Sequence, residues 1–436
     1  MRPTRQRSDP TETAAGSIAI VDIGELATPI GKGALRGAEM GRLRRVRGAA
    51  LVAQAGRIIY AGPQDTAECK AALDAAKALG APILDADGAA CVPGFVDSHT
   101  HFLFAGYRAD EFFWRAKGLS YMEIHHRGGG IRRTMEATRL ASASELLALG
   151  RARLDSMLAM GVTTVEGKSG YGLNRDTEIR QLEVMRELDS LSPVDIVSTF
   201  MGPHSTPPEF EGRPSAYIDY LIGEVLPEVA RLRLARYADI FCEKGVFGID
   251  DSRRYLEAAR SLGFGLKIHA DEIEPLGGAG LAAEFGAASA EHLLKASKAD
   301  LAAMAEAGVL AVCLPLTAFN LREPYADARS MIDLGLAVAL ASDLNPGSCP
   351  SQSIPLIFAL GVLYMGLSFD ECLSALTLNG AAALGLAGDR GSLESGKRAD
   401  LIILDAPEAS HLAYRSGMDL VRTVVKDGIV AFSSAS

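Results

Sequence analysis

Absences narrow this chain first. Its six cysteines, Cys69, Cys91, Cys242, Cys313, Cys349 and Cys372, contain no C-x-x-C pair, which removes the commonest metal-ribbon and redox frameworks. Four of them lie in apolar surroundings and read as buried thiols, as expected in a reduced cytoplasm. Basic charge is short: 44 Lys and Arg face 54 Asp and Glu, a formal net charge of -10, whereas nucleic-acid binders carry a basic face. A small-molecule ligand suits such a chain better. The longest apolar run, residues 354–369, is interrupted by Pro355, Gly361 and Gly366; it is too short for a membrane span and reads as a core helix. Residues 1–17 carry positive charge but no apolar stretch after it, and are expected to be a frayed tail rather than a signal peptide. Internal repeats and low-complexity linkers are missing. Histidine is scarce, eight in 436 residues, so the places where it falls carry information.

What is present is a large apolar fraction, 48%, enough for a sizeable core. Eight short apolar segments, GFVDS, TTVEG, DIVSTF, DIFCE, GLKIH, SAEHL, LAVCL and AVALAS, alternate with helical patterns, and this alternation predicts a (β/α)8 barrel. Ser142 with Glu145 and Ser368 with Glu371 have capping-box spacing, and Ser297 with Asp300 resembles it. Both chain ends are strand-like and turn-rich. GRIIYAGP near the start, and GSLESGKRADLIILD and LVRTVVKDGIVAF near the end, predict one small β-sandwich domain built from both termini. The expected organisation is residues 1–90 and 389–436 in that domain and residues 91–388 in the barrel.

His99 and His101 end the first barrel segment. In a strand, residues i and i+2 share a face, so the two imidazoles emerge side by side, as a shared metal ion requires. His269, His292 and Asp343 end or follow later segments. Together they offer four nitrogens and a carboxylate, a set that suits zinc or ferrous iron better than calcium. Catalytic groups of such barrels sit at the C-terminal strand ends. Polar candidates do gather there: Lys168 and Tyr171 after segment two, His204 after three, Glu243 after four, Glu272 with His269 after five. His125 and His126 read as non-ligands, and His411 as structural.

The motifs PGFVDSHTH, FAGYRADEF, KSGYGLNRDTE, TFMGPHSTPPE, FCEKGVF, KIHADE and SDLNPGS, with YMEIHHRGGG between them, resemble the imidazolonepropionase family of the amidohydrolase superfamily, from about Gly94 to the C-terminus. The resemblance implies that His99, His101, His269 and Asp343 hold one divalent or ferric ion per subunit, zinc or iron. It implies substrate contacts from Arg108, Tyr121, Tyr171, His204, Glu272, Asn345, Gly347 and Ser348, a second active-site histidine at His292, and a homodimer. Pro203, Gly167, Tyr107, Leu344 and Cys349 depart from the expected pattern, and all flank matched residues.

Chemistry gives these residues separate tasks. An open metal site activates water at neutral pH, and a carboxylate must then move a proton, for which Glu272, three residues after His269, is placed. His292 either stabilises the developing oxyanion or ligates the ion; the sequence leaves both open. With Asp343 these form the expected catalytic group. Arg108 is suited to a bidentate pair with a carboxylate on the substrate. Tyr171 in Gly-Tyr-Gly and Tyr121 before Gly-Gly-Gly have flexible backbone beside them, as in residues that close over a ligand. Lys168 invites comparison with a carboxylated lysine of a two-metal site, but the glycine-rich turn after it and the family resemblance favour one metal. The resemblance implies hydrolytic ring opening of 4-imidazolone-5-propanoate, a small carboxylated imidazolone, to N-formimidoyl-L-glutamate. A nucleobase deaminase of the cytosine or guanine type shares the ligand pattern, though a neutral base needs no arginine clamp. A metal-carrying binding protein without turnover is the third class.

Overall fold

The computed structural model describes residues 16–119 and 129–434, with Glu123 and Arg127 between them. Tyr121, His125 and His126 lie outside the described residues. Alternating apolar residues at both termini build the first sheet from β1 (Ile18–Pro29), β2 (Leu43–Gln54), β3 (Arg57–Pro63), β4 (Ile83–Asp85) and β5 (Ala90–Pro93). The barrel strands follow: β6 (Phe95–Asp97), β7 (Val162–Lys168), β8 (Asp195–Phe200), β9 (Tyr237–Cys242), β10 (Gly265–Ala270), β11 (Ser289–His292), β12 (Leu310–Cys313) and β13 (Val338–Leu340). The chain then returns to the first sheet with β14 (Leu401–Leu404), β15 (Val421–Lys426) and β16 (Ile429–Ser433).

The first sheet runs β16-β15-β14-β5-β1-β2-β3, with β4 also on β1. Strand β1 pairs with β4 along its first half and β5 along its second, changing partner at a bulge where Asp22 takes a φ of 52°. Bulges bend a strand in this way. Alternate residues of several strands, among them Ile18, Ile20, Leu51, Ile58, Leu401 and Ile403, turn to one shared core, so a continuous sheet encloses the apolar interior. The chain crosses from this sheet to the barrel in one residue. Gly94 donates to Asp400 O at 3.0 Å while Phe95 donates to Gly161 O at 2.9 Å, and a Cβ at Gly94 would meet Thr163 Oγ1 at 2.4 Å, so only glycine fits the crossing.

All eight predicted segments are the eight parallel strands of the second sheet, in the order β6 to β13. The barrel closes just beyond β6 and β13. Thr100 and Leu344 form a parallel bridge, Asp343 N donates to His99 O at 3.0 Å and His101 N to Leu344 O at 2.9 Å. Asp97 seals the seam, accepting from Ser342 N at 2.9 Å and Ser342 Oγ at 2.6 Å. First and last strands are thus neighbours, so residues 99, 101 and 343 meet although far apart in sequence.

Both predicted capping boxes form, at Ser142–Glu145 and Ser368–Glu371, and Ser297 Oγ accepts from Asp300 N. The apolar run after Ser353 is a helix only over Ile354–Tyr364; Leu363 and Tyr364 at its end are exposed, and the run finishes on the first residue of the next helix, Phe369–Leu376. All six cysteines are buried and free, two more than expected. Among the described residues no helix is long and apolar enough to cross a membrane.

Candidate active site

The seam places His99 and His101 beside Asp343, and β10 brings His269 opposite. His99 Nε2 lies 3.4 Å and His101 Nε2 3.7 Å from Asp343 Oδ1, and the Nε2 atoms of His101 and His269 lie 3.4 Å apart. A tetrahedral ion about 2.1 Å from each donor separates the donors by about 3.4 Å, so these spacings fit a single divalent cation. The protein alone does not satisfy the group: His99 Nε2 is buried without a hydrogen-bond partner. Burial holds His99, His101 and His269 well below the usual imidazole range, leaving neutral rings with lone pairs to offer. Asp343 sits in the left-handed region at φ 57°, and His292 at φ 70°. Such backbone conformations are costly outside glycine and cluster at functional sites.

Beneath the donors the barrel interior is charged. Lys168 Nζ lies 2.6 Å from Asp239 Oδ2, 3.1 Å from Glu166 Oε2 and 3.7 Å from Glu291 Oε2, while Lys267 Nζ lies 3.3 Å from Glu166 and 3.6 Å from Glu291. These five side chains are fully buried. Burial opposes the charge, but the three carboxylates outweigh it and raise the Lys168 ammonium above its ordinary range, so its Nζ is engaged as the cation of this network. Asp239 Oδ2 stands 3.0 Å from His269 Nδ1, and Glu291 Oε2 3.7 Å from the same atom and 3.9 Å from His99 Nδ1. Carboxylates behind metal-binding histidines commonly orient the rings.

Around the donors stand the remaining candidates. Glu272 Oε2 is 3.6 Å from His292 Nε2. Its carboxyl is pushed up to about 8, by burial and then by the negative charges of Asp343, Glu243 and Glu323. His204 stacks on His101, centroids 4.8 Å apart, and its Nδ1 meets Gly170 O at 3.1 Å. A carbonyl only accepts, so Nδ1 carries the proton and Nε2 is free as an acceptor; burial holds the ring neutral, near 4. Tyr171 is buried between His101, His204 and Phe104.

The Gly-Tyr-Gly turn is clamped, contrary to the flexibility expected of it. Glu178 accepts from Gly170 N at 3.0 Å, Gly172 N at 2.8 Å and Leu173 N at 2.8 Å. A Cβ at Gly170 would meet Met201 O at 2.7 Å, and one at Gly172 would meet Thr177 Cβ at 2.7 Å. The glycines serve close approach, and Tyr171 is held rather than mobile.

The loop after β13 is equally self-contained. Asn345 Oδ1 accepts from Gly347 N at 2.9 Å and Ser348 N at 2.8 Å, and Nδ2 donates to Asp343 O at 2.8 Å and Ser348 Oγ at 2.9 Å. Its amide is spent on shaping the loop, and Gly347 O is taken by Arg115 Nη2 at 2.6 Å. Arg108 is less satisfied. Its side chain is largely buried, its Nε has no partner, and Glu111 Oε2 lies 3.8 Å from Nη1, so the guanidinium can still receive an anion. Of the departures from the family pattern, Leu344 and Cys349 are packed inside the seam and Gly167 leaves room for Phe102, 2.7 Å from a Cβ there.

Sequence reasoning missed the supporting residues. Thr317, after β12, donates from Oγ1 to Asp343 Oδ2 at 2.5 Å; β12 is the one barrel strand for which no polar candidate was named, and reading its end like the other seven would have found it. Asp239, Glu166 and Glu291 lie within apolar segments. A charge inside a strand destined for a buried barrel was the available signal, since such charges are buried only when paired.

A family model described as "Amidohydrolase family" matches residues 128–432. The chain is 52% identical over 427 residues to a curated imidazolonepropionase of Porphyromonas gingivalis, an alignment covering 96% of this chain and 98% of that one. Its fold is similar to a 5-methylcytosine deaminase from Klebsiella pneumoniae, TM-score 0.70 at 17% identity over 96% and 98% of the two chains. It is also similar to a zinc-bound adenosine deaminase from Xanthomonas campestris, TM-score 0.65 at 18% identity over 95% and 92%. At these identities the two deaminases speak to the fold alone.

Proposed function

The chain belongs to the amidohydrolase family and, within it, to the imidazolonepropionases, and from that premise we propose how its residues open the ring of 4-imidazolone-5-propanoate. The reaction adds water across the ring's amide C–N bond: oxygen goes to the carbonyl carbon, the bond to nitrogen breaks, the nitrogen takes a proton, and N-formimidoyl-L-glutamate results. His99, His101, His269 and Asp343 are the residues that would hold a single ion, and three neutral nitrogens with one carboxylate suit zinc or iron. When bound, that ion supplies activation of water at neutral pH.

The chain's own groups do the rest. Arg108 binds the propionate, and the observation that carries this reading is its buried guanidinium, with an unpartnered Nε and, among the described residues, no carboxylate nearer than 3.8 Å. A buried cation left so is stabilised by an incoming anion. Tyr171 and His204 wall the ring, and the Nε2 of His204 accepts a ring N–H. Asn345 shapes the loop that carries Gly347 and Ser348 against the substrate's end. Glu272 takes the proton of the attacking water and returns it to the departing nitrogen, a task open to a carboxylate beside the donor group. His292, 3.6 Å from Glu272, faces the developing oxyanion. The six reduced, buried thiols support a cytoplasmic setting. The test is incubation of purified, metal-loaded protein with the imidazolone: its ultraviolet absorbance should fall as N-formimidoyl-L-glutamate accumulates, and stable absorbance would overturn the reading.

A further inference from the structure

We propose that Glu243 is a positioning residue for Glu272, acting through the backbone of the loop that carries it; this rests on the reading of Glu272 as the proton-transfer group. Glu243 belongs to FCEKGVF, a motif with no part in the chemistry described above. The segment turns back on itself directly after β9. Cys242 and Phe247 bridge, Glu243 N donates to Phe247 O at 3.1 Å, and Val246 N to Glu243 O at 3.0 Å. Gly245 takes a φ of 86° in open space, so glycine is there for its conformation.

The turn aims a fully buried carboxylate at the next loop. Oε2 accepts from Glu272 N at 3.1 Å and Ile273 N at 2.9 Å; Oε1 accepts from Glu274 N at 3.2 Å and Lys244 N at 2.8 Å. Three of these four donors are consecutive, so the peptide planes on both sides of the Glu272 Cα are fixed by one side chain. On the far side Asp271 collects Leu276 N at 2.8 Å, Gly277 N at 2.7 Å and Ala279 N at 2.9 Å. Apolar burial does not hold this loop, because Ile273 is 60% exposed and Glu274 and Pro275 are exposed too. A buried anion is costly unless charge-assisted hydrogen bonds surround it. An amide in its place would turn one N–H-bearing atom toward backbone N–H groups and lose half of the clamp.

A double-mutant cycle on the metal-loaded enzyme separates positioning from general support. Glu243→Gln should lower kcat by about ten- to a hundredfold, as for a displaced catalytic group, with KM and metal content nearly unchanged. Added to Glu272→Gln, the same change should alter kcat by less than about twofold, because the group it positions is already disabled. Equal losses in both backgrounds would overturn the proposal. Wild-type kcat in Glu272→Gln alone would instead overturn the reading of Glu272, and the proposal with it. Should Glu243→Gln not fold, Glu243→Asp keeps the charge and shortens the reach, and the same cycle applies. Loss of fold and metal in both variants would make Glu243 a structural residue and refute its positioning role.

Discussion

Arg108 brings its guanidinium up to Gly347, so closely that a Cβ at Gly347 would fall 1.6 Å from Arg108 Nη2. Two residues that are distant in sequence and matched separately to substrate contacts are therefore one device: the loop after β13 is a shelf for the arginine. Gly347 does not take a positive φ, so alanine meets no backbone penalty there, only the guanidinium.

Gly347→Ala should accordingly fold, keep its ion, and lose substrate affinity. Displacing a charge-assisted pair removes roughly 1.5 to 3 kcal/mol, which lowers kcat/KM by about ten- to a hundredfold. Steady-state kinetics beside a thermal melt would check it. An unchanged KM would show that the guanidinium can retreat without cost.

Metal content tests the donor group directly. Asp343→Ala and His269→Ala should each abolish bound metal and turnover, since a four-donor site tolerates few losses. Thr317→Val removes only the hydroxyl on Asp343 Oδ2, and should weaken metal affinity by about ten- to a hundredfold in a chelator competition. Full metal content with normal turnover in either alanine variant would refute the assignment.

The barrel was legible because its eight strands are short apolar runs of the right period, and its polarity told where the site must lie. That His99, His101, His269, His292 and Asp343 gather at one end of the barrel was legible because histidine is scarce and each of the five ends or follows a barrel segment; the choice of four among them as donors came from the family resemblance. Thr317 was not, because a threonine after a strand is ordinary until Asp343 is seen to need it. The rigidity of Gly170–Gly172 was not legible either: glycine reads alike whether it gives freedom or makes room, and only Met201 O, Thr177 and the Glu178 carboxylate decide between them. Likewise the amide of Asn345 reads as a substrate contact until its hydrogen bonds to Asp343, Gly347, Ser348 and Cys349 are seen.

Glu272 should leave a signature in the metal-free protein. Its carboxyl ionises at about 8 in the fold against an ordinary 4.5. Between these values the folded state keeps a proton that the unfolded chain has lost, so stability falls as pH rises from 4.5 through about 8 and is level beyond. Glu272→Gln removes this burden. In urea titrations the variant's advantage over wild type should be small at pH 5 and largest above pH 8; an advantage that is flat or shrinks with pH would contradict a carboxyl raised by burial and by its acidic neighbours. In the loaded enzyme the same variant should keep its metal and slow kcat by about a hundredfold or more.

Arg108 decides which substrate the site prefers. Arg108→Met keeps the length and the apolar stem of the side chain while removing the charge, so any effect reports the guanidinium. With the carboxylated imidazolone, kcat/KM should fall by about ten- to a hundredfold, the equivalent of roughly 1.5 to 3 kcal/mol. An imidazolone lacking the propionate carboxylate never makes the pair and should be nearly indifferent to the change. The comparison is a cycle of two enzymes and two substrates, in which the pairwise term survives and general damage cancels. Equal losses on both substrates would mean that Arg108 supports the loops around Gly347 and Glu111, and that the preference for a carboxylate comes from the wall formed by Tyr171 and His204.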